Sequence, residues 1–171
     1  MKLTITMVLL AGALAAQTNT KSALIGSSQG MFAIAKNDIL RSAEKIPENL
    51  WSFQPTPEVR TIGQLFAHVA DGQYEFCGAA EGGMVNKGVE KSAKTKAEIT
   101  SALKDAFAYC DAAYAKMTDA SAVEMISLFG RKLTRIGAMD FNIAHTMEHY
   151  GNLVTYMRIK GVVPPSSERT P

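Results

Sequence analysis

Hydrophobic positions recur with the period of an α-helix in several separate segments of this 171-residue chain. The first segment runs from Lys21 to about Lys45 and ends before Pro47, because proline cannot continue a helix. The second starts at Thr61, which forms a capping-box sequence with Gln64. Its apolar positions are Ile62, Leu65, Phe66, Val69, Phe76 and Cys77. Both patterns predict helices that bury one face.

A glycine-rich stretch, EGGMVNKG at residues 81–88, is typical of a loop and follows the second helix. Thr95 and Glu98 repeat the capping-box sequence and predict a third helix that runs to about Met117. The next stretch, SAVEMISLFGRKLT, is less regular. It fits either an extended hairpin that turns at Gly130 or a broken helix start, and its pattern does not choose between them.

The last helix is predicted from about Thr134 to Lys160, since Gly161 suits a C-terminal cap and two prolines follow closely. Four long helices joined by loops of about a dozen residues predict an all-α fold, a four-helix bundle. The sequence shows no βαβ alternation, no glycine-rich phosphate loop after a strand and no internal repeat.

The first residues, MKLTITMVLLAGALAAQ, have the order of an export signal: Lys2, an apolar run, and then small residues. The apolar run of roughly 14 residues is shorter than the ~20 that cross a bilayer as a helix. We therefore predict a signal peptide over residues 1–16, cut after Ala15 or Ala16, and a domain over residues 17–171 without a membrane span. The alternative interpretation is a buried N-terminal helix. Cleavage would make this an exported bacterial protein, periplasmic or secreted.

The charge composition limits the kinds of molecule that this protein is expected to bind. The chain carries 18 basic and 16 acidic residues, a formal net charge of +2, and no long basic run. This balance gives little support to nucleic-acid binding, so we expect a small-molecule substrate or ligand. The faces of the helices would also allow a homodimer. Export would allow Cys77 and Cys110 to pair, but cysteine is also a common small core residue, and both states stay open.

The chain has only three histidines, and two of them, His145 and His149, are four residues apart in the last helix. At about 100° per residue, the two lie within about 40° of each other. They lie outside the charged face, which carries Asp140, Glu148 and Arg158. The residues that share their side are Ala138, Phe141, Asn152 and Tyr156. The pair therefore faces protein or a pocket more than open water.

Two neutral imidazoles at this spacing can aim at one point, an arrangement that suits a divalent metal ion. His68, in the second helix, would supply a third ligand, and a catalytic site often uses three protein ligands. The alternatives are a hydrogen-bonded core pair for His145 and His149 and a surface position for His68. The zinc-protease sequence H-E-x-x-H is absent.

Six further residues are candidates to border or orient such a site. His68 lies at the edge of its apolar stripe, which implies a solvent-facing pocket bordered by polar neighbours on the same helix. Asparagines on the last helix could orient the histidines, and a tyrosine could line the pocket, although an aromatic at this spacing is more often core. The candidates are Gln64, Asp71, Glu75, Asn142, Asn152 and Tyr156.

Two stretches, TIGQLFAHVADGQ and HTMEHYGNLVTYMRIKGVVPP, resemble the DinB/YfiT-like superfamily of four-helix bundles. The resemblance covers about residues 20 to 165. It implies that the metal ligands are His68, His145 and His149. This chain departs from the family pattern at Asn152, where glutamine is frequent, and at Glu148, where a His-His doublet is common. Neither change removes a ligand.

The resemblance also implies a range of activities. The family includes S-transferases and isomerases that use a low-molecular-weight thiol, as well as metal-dependent hydrolases. An open metal position would activate the thiol in the first case and a water in the second. Export weakens the thiol interpretation, because cytosolic thiol cofactors are not expected to be abundant outside the cytoplasm. Zn²⁺, Ni²⁺, Fe²⁺ and Cu²⁺ all suit three imidazoles. The alternative is a non-catalytic exported binding module whose metal is structural or absent.

Overall fold

The computed structural model describes residues 22–168, which are mostly helical. The four long helices are α1 Ala23–Lys45, α2 Ile62–Glu81, α4 Lys96–Lys116 and α6 Arg135–Ile159. The shorter elements are α3 Val89–Ser92, α5 Asp119–Ala122, the strands β1 Met125–Leu128 and β2 Arg131–Thr134, and the 3-10 turns Glu48–Leu50 and Pro165–Ser167. The predicted helices are confirmed within a few residues at each end. The predicted signal peptide lies outside the described residues.

Local capping explains where the long helices start. The Thr61 hydroxyl accepts from Gln64 N, and the Gln64 side chain accepts from Thr61 N, so the predicted capping box is confirmed. Thr95 and Glu98 form the second box in the same way. The Thr134 hydroxyl caps α6. Each cap satisfies backbone N–H groups that have no partner inside the first helical turn.

Helix α2 is the most buried of the long helices and packs against both α4 and α6, while α1 packs against α6 and α4. Its sequence is rich in alanine and glycine, which lets neighbouring helices approach closely. The largest side chains with almost no exposed surface are Tyr114, Phe32, Phe66, Phe107, Ile25, Ile39, Ile46, Ile62, Leu103, Met139, Leu153 and Met157. This core holds the faces of α2 and α6 at a fixed distance from each other.

A disulfide joins α2 to α4. Cys77 and Cys110 are bonded, with their Cα atoms 5.4 Å apart, and neither has exposed surface. The bond closes a sequence separation of 33 residues. By restricting the unfolded chain, it raises the free energy of unfolding by about 3–4 kcal/mol. Of the two states that the sequence left open, the structure therefore has the bonded one, which is compatible with export.

The stretch before α6 forms an antiparallel hairpin. The predicted all-α fold is therefore correct for the four long helices but not for this short two-stranded segment. Leu128 pairs with Arg131, which leaves Phe129 and Gly130 as a two-residue turn. Both turn residues have positive φ, 50° and 76°. The turn at Gly130 was one of the two predicted alternatives. The alternating side chains and the glycine favour the hairpin over a helix start.

None of the helices within residues 22–168 is both long enough and apolar enough to cross a membrane.

Candidate metal centre

The three histidines converge on one point between α2 and α6. His145 Nε2 lies 3.1 Å from His68 Nε2 and 3.1 Å from His149 Nε2. The ring centroids of the three pairs are 4.5 to 5.0 Å apart. Helical spacing explains the His145–His149 contact, and the packing of α2 on α6 adds the ring of His68. Among residues 22–168, the side chains grouped closely enough to hold a metal ion here are His68, His145 and His149, which we call the histidine cluster.

Hydrogen bonding between the rings cannot satisfy this arrangement. A neutral imidazole nitrogen carries either one proton or one in-plane lone pair. His145 Nε2 has two nitrogen neighbours at 3.1 Å, and only one of these contacts can be an ordinary hydrogen bond. A cation at the point of convergence would accept a lone pair from each ring and remove the conflict.

The distances suit a small divalent ion. A metal–nitrogen bond of about 2.0–2.1 Å with a roughly tetrahedral angle puts two ligand nitrogens about 3.3 Å apart. The two measured separations of 3.1 Å are close to that value, and all three ligand atoms lie within 4.8 Å of one another. Three imidazoles form a ligand set that leaves further coordination positions free for an exogenous ligand.

Burial keeps the imidazoles neutral. Desolvation lowers the pKa of His145 to about 3, with smaller contributions from the nearby His149, His68 and Arg60. Desolvation also lowers the pKa of His149, which is 7% exposed. Only a neutral imidazole has a lone pair to give to a metal ion. Both rings are therefore in the ligand-competent form at neutral pH.

A glycine on α2 makes room for the His145 ring. A Cβ atom at Gly72 would lie 2.7 Å from His145 Cε1 and 2.9 Å from His145 Nδ1. Those separations are shorter than any side-chain contact allows, so residue 72 must lack a side chain for the ring to occupy this position. Gly72 lies four residues after His68 on the same face of α2, and it sets how closely α6 approaches that face.

A carboxylate contacts His68 at Nδ1, the ring nitrogen that faces away from the other two histidines. Glu90 Oε2 lies 3.2 Å from His68 Nδ1, and Arg60 Nε donates to Glu90 Oε1 at 2.8 Å. Burial opposes ionisation of Glu90, but the hydrogen bond and charge of Arg60 and the contact with His68 together lower its pKa. The ionised carboxylate accepts a hydrogen bond from the Nδ1–H of His68, which leaves the Nε2 lone pair of that ring facing the other two histidines.

The carboxylate itself is positioned by Asp71. The two Asp71 oxygens accept hydrogen bonds from Val89 N and Glu90 N, at 2.8 and 2.9 Å. These bonds attach the one-turn helix α3 to α2 beside His68. Glu90 and Arg60 were not among the residues predicted from the sequence. No periodic signal indicates them, because α3 is too short to show helical periodicity and Arg60 lies in a connector.

A solvent-facing cleft of ≈ 430 Å³ opens beside His68. Two residues predicted to border such a pocket, Asp71 and Glu75, line it together with Gly72 and Glu90. The pKa of Glu75 is raised overall, mainly by burial and to a smaller extent by the Asp71 charge. The nearby His68 offsets part of this rise. Glu75 makes no hydrogen bond or ion pair with any residue between 22 and 168. It is therefore the uncommitted carboxyl group of this cleft.

The other four candidates lie elsewhere. Gln64 is exposed, caps α2 and lines a neighbouring cleft of ≈ 490 Å³ that also reaches Glu90. Asn152 is exposed on α6. Tyr156 is buried and meets the Phe53 ring edge-on, with centroids 6.0 Å apart.

Asn142 belongs to a separate group, which we call the amide cluster: Gln73, Asn142 and Thr146. Asn142 Nδ2 donates to Gln73 Oε1 at 2.7 Å, and Gln73 Nε2 donates to Thr146 Oγ1 at 2.9 Å. All three side chains are fully buried. The Asn142 amide nitrogen also lies 3.6 Å from the sulfurs of Cys77 and Cys110. The Asn142 side chain therefore contacts the bundle core.

Fold and site together define a class: a helical bundle that gathers three histidines from two helices around a candidate metal centre. The sequence profile of the DinB superfamily matches residues 31–153, so the chain belongs to the DinB superfamily. The resemblance noted from the histidine stretches is thereby confirmed.

Known relatives agree with this assignment. The uncharacterised protein YjoA of Bacillus subtilis (strain 168) is 24% identical over 133 residues, 76% of this chain and 86% of YjoA. Its crystal structure superposes with a TM-score of 0.67, at 23% identity, over 84% of this chain and 99% of that chain. A DinB-like protein from Bacillus cereus ATCC 10987 superposes with a TM-score of 0.72, at 15% identity, over 82% and 95%. These likenesses establish the fold.

A further structural neighbour is a named enzyme. The mycothiol-dependent maleylpyruvate isomerase superposes with a TM-score of 0.66 at 13% identity. The match covers 75% of this chain and 60% of the isomerase chain.

Proposed function

We propose that this protein is an exported metalloenzyme of the DinB superfamily that acts on a small molecule. In this proposal His68, His145 and His149 hold one divalent ion through their Nε2 atoms. The observation that carries it is the pair of 3.1 Å contacts at His145 Nε2, which protons alone cannot satisfy. Zn²⁺, Ni²⁺, Fe²⁺ and Cu²⁺ all fit this donor set.

A bound divalent ion supplies Lewis acidity and lowers the pKa of the attacking nucleophile. The residues of the chain have the other roles. Glu90 accepts a hydrogen bond from His68 Nδ1 and orients that ring, and Arg60 keeps Glu90 ionised. Gly72 keeps the space that His145 occupies. Glu75 faces the cleft without a hydrogen-bond or ion-pair partner among residues 22–168 and is available to hold or move a proton near the substrate.

Two observations bear on the nucleophile. The Cys77–Cys110 disulfide suits an oxidising compartment, where low-molecular-weight thiols are not abundant, and so favours water and a hydrolase. The likeness to a mycothiol-dependent isomerase favours a thiol and an S-transfer or isomerisation reaction. The disulfide is a property of this chain, whereas the likeness is one of fold, so we propose hydrolysis as the first reaction class to assay.

The experiment that tests the proposal is metal analysis of protein purified without added metal or chelator. We expect about one ion per chain, identified by anomalous scattering at metal edges, with three nitrogen ligands and a free or exchangeable position. His149→Ala should lose the ion. The matched control is Asn152→Ala, an exposed change on the same helix, which should keep it. Full metal content in His149→Ala would overturn the proposed site.

Coordination number also separates the enzyme from the alternative, a non-catalytic exported binding module. A closed fourth protein ligand would indicate a structural ion and contradict the catalytic proposal. Export has its own test: mass spectrometry of protein from the native host should find a mature N-terminus after Ala15 or Ala16. An intact N-terminus would contradict export without touching the metal site.

A further inference from the structure

Two phenylalanine rings lie at the surface close to the histidine cluster. Phe129, in the hairpin turn, is 60% exposed, and Phe141, on α6, is 47% exposed. Phe141 precedes His145 by one helical turn, so both side chains project from the same face of α6.

A third ring connects the two to the site. Phe76 is 3% exposed, and its ring centroid lies 5.3 Å from that of Phe141 and 5.9 Å from that of Phe129. The same ring lies 5.1 Å from the His145 ring. The exposed rings of Phe129 and Phe141 therefore both pack on the buried Phe76, whose ring contacts His145.

The two-residue hairpin turn requires a positive φ at Phe129, a conformation that is strained for a residue with a Cβ atom. Its φ of 50° is the only positive φ at a non-glycine residue among residues 22–168. A two-residue hairpin turn of this type favours asparagine or aspartate before glycine, since these residues tolerate the left-handed region. Phenylalanine there lowers stability, and strain of this kind tends to persist where it serves a function.

We propose that Phe129 and Phe141 bind an apolar group, aromatic or alkyl, of the substrate whose polar group reaches the three-histidine site. This inference rests on the proposed function. A second copy of the chain is a poorer occupant, because two half-exposed rings present on the order of 200 Å² of surface. A stable interface needs about 800 Å² from each partner.

The test uses purified mature protein loaded with Co²⁺ and two hydroxamate probes. Acetohydroxamate and 4-phenylbutanohydroxamate share the metal-binding group and differ by an apolar tail. The visible absorption of Co²⁺ reports binding of each probe. We expect the phenyl probe to bind at least about tenfold more tightly, since covering roughly 60 Å² of apolar surface corresponds to that ratio.

Three variants locate the preference. Phe129→Asn and Phe141→Ser should each reduce the ratio between the two probes severalfold while leaving acetohydroxamate affinity unchanged. Ile34→Ser, on the exposed face of α1, is the control and should keep the full ratio. Phe129→Asn should also raise the Tm by about 2–4 °C, because asparagine relieves the strained backbone. A merely structural phenylalanine would not combine higher stability with weaker selectivity.

The outcomes are distinguishable. Failure of wild-type protein to bind Co²⁺ would overturn the proposed function and this inference with it. Co²⁺ binding with equal affinity for both probes would overturn the inference alone. An unchanged probe ratio in both phenylalanine variants would also overturn it, as would a wild-type dimer that Phe129→Asn converts to a monomer without changing the ratio. A lost ratio in both variants with the control intact supports it.

Discussion

The histidine cluster and the amide cluster both place polar side chains between α2 and α6. The two clusters differ in how the hydrogen-bonding groups of those side chains are paired. In the amide cluster, Asn142 donates to Gln73, and Gln73 donates to Thr146, all without exposed surface. In the histidine cluster the close contacts compete for one nitrogen, and Nδ1 of both His145 and His149 is buried without a partner among residues 22–168.

The main difference is the competition of two contacts for His145 Nε2, which has no counterpart in the bonds of the amide cluster. Each buried, unpaired polar atom destabilises a fold by about 1–3 kcal/mol, so such atoms persist where a role outweighs the cost. The amide cluster leaves one such atom, Asn142 Oδ1, within the part of the chain that the structure describes. Changes in the amide cluster should therefore alter stability, and changes around the histidines should alter metal affinity. The following predictions test that separation.

The largest expected effect on stability comes from the disulfide that lies against the amide cluster. Replacing both cysteines, Cys77→Ala with Cys110→Ala, should lower the free energy of unfolding by about 3–4 kcal/mol. Denaturant titration measures this loss. We expect one metal ion per chain to be retained, since neither cysteine contacts a histidine. Loss of the ion from a variant that is still folded would break the separation.

The next effect concerns the amide cluster itself. Asn142→Ala removes the donor to Gln73 Oε1 and leaves that oxygen buried and unpaired. We expect about 2–3 kcal/mol of destabilisation, measured by chemical unfolding. Asn152→Ala is the matched exposed control and should change stability by less than about 0.5 kcal/mol. Equal stability of the two variants would show that the amide bonds contribute nothing.

Glu90→Gln tests the histidine cluster, where we expect a change in metal affinity and little change in stability. The amide still fills the space but is a weaker acceptor for His68 Nδ1, so metal affinity should fall about 10–100-fold with little loss of stability. Competition with a chromophoric chelator measures the affinity, and ¹⁵N shifts of His68 report the altered hydrogen bond. Glu75→Gln is the control: it removes a carboxylate from the same cleft that does not contact His68. An equal loss in both would indicate a general effect of charge.

The smallest effect concerns a third buried polar group whose bonds are satisfied. The Tyr114 hydroxyl lies 2.8 Å from Ser28 Oγ, which donates to Asp140 Oδ1 at 2.6 Å, so Tyr114 donates to Ser28. Burial raises the pKa of Tyr114 to about 12, above its usual value of 10.0. The folded state therefore keeps the proton between pH 10 and 12 while the unfolded state loses it, and stability falls as pH rises.

The size of this effect follows from linkage. At pH 11 the loss relative to pH 8 should be about 1.4 kcal/mol. Unfolding experiments on wild-type protein and Tyr114→Phe isolate the contribution, because phenylalanine does not titrate there. Parallel pH profiles of the two proteins would contradict the prediction.

Much of this molecule could be read from the residue pattern. Helical periodicity and capping are local, because they depend on residues three or four apart. The four long helices and the capping boxes of α2 and α4 could therefore be predicted within a few residues. The His145–His149 pair is equally local. His68 could be added from the scarcity of histidine and from the family resemblance, and the structure places its ring against the other two.

The remaining features depend on contacts between distant segments, about which a local pattern carries no information. Asp71 binds the backbone of α3, which brings Glu90 to His68 across 22 residues of chain. The Cys77–Cys110 bond depended on how α2 packs against α4. Phe129 meets Phe76 only because the hairpin folds back onto α2. Local periodicity could therefore specify the helices and the metal-ligand candidates, whereas packing between helices and loops specified what surrounds them.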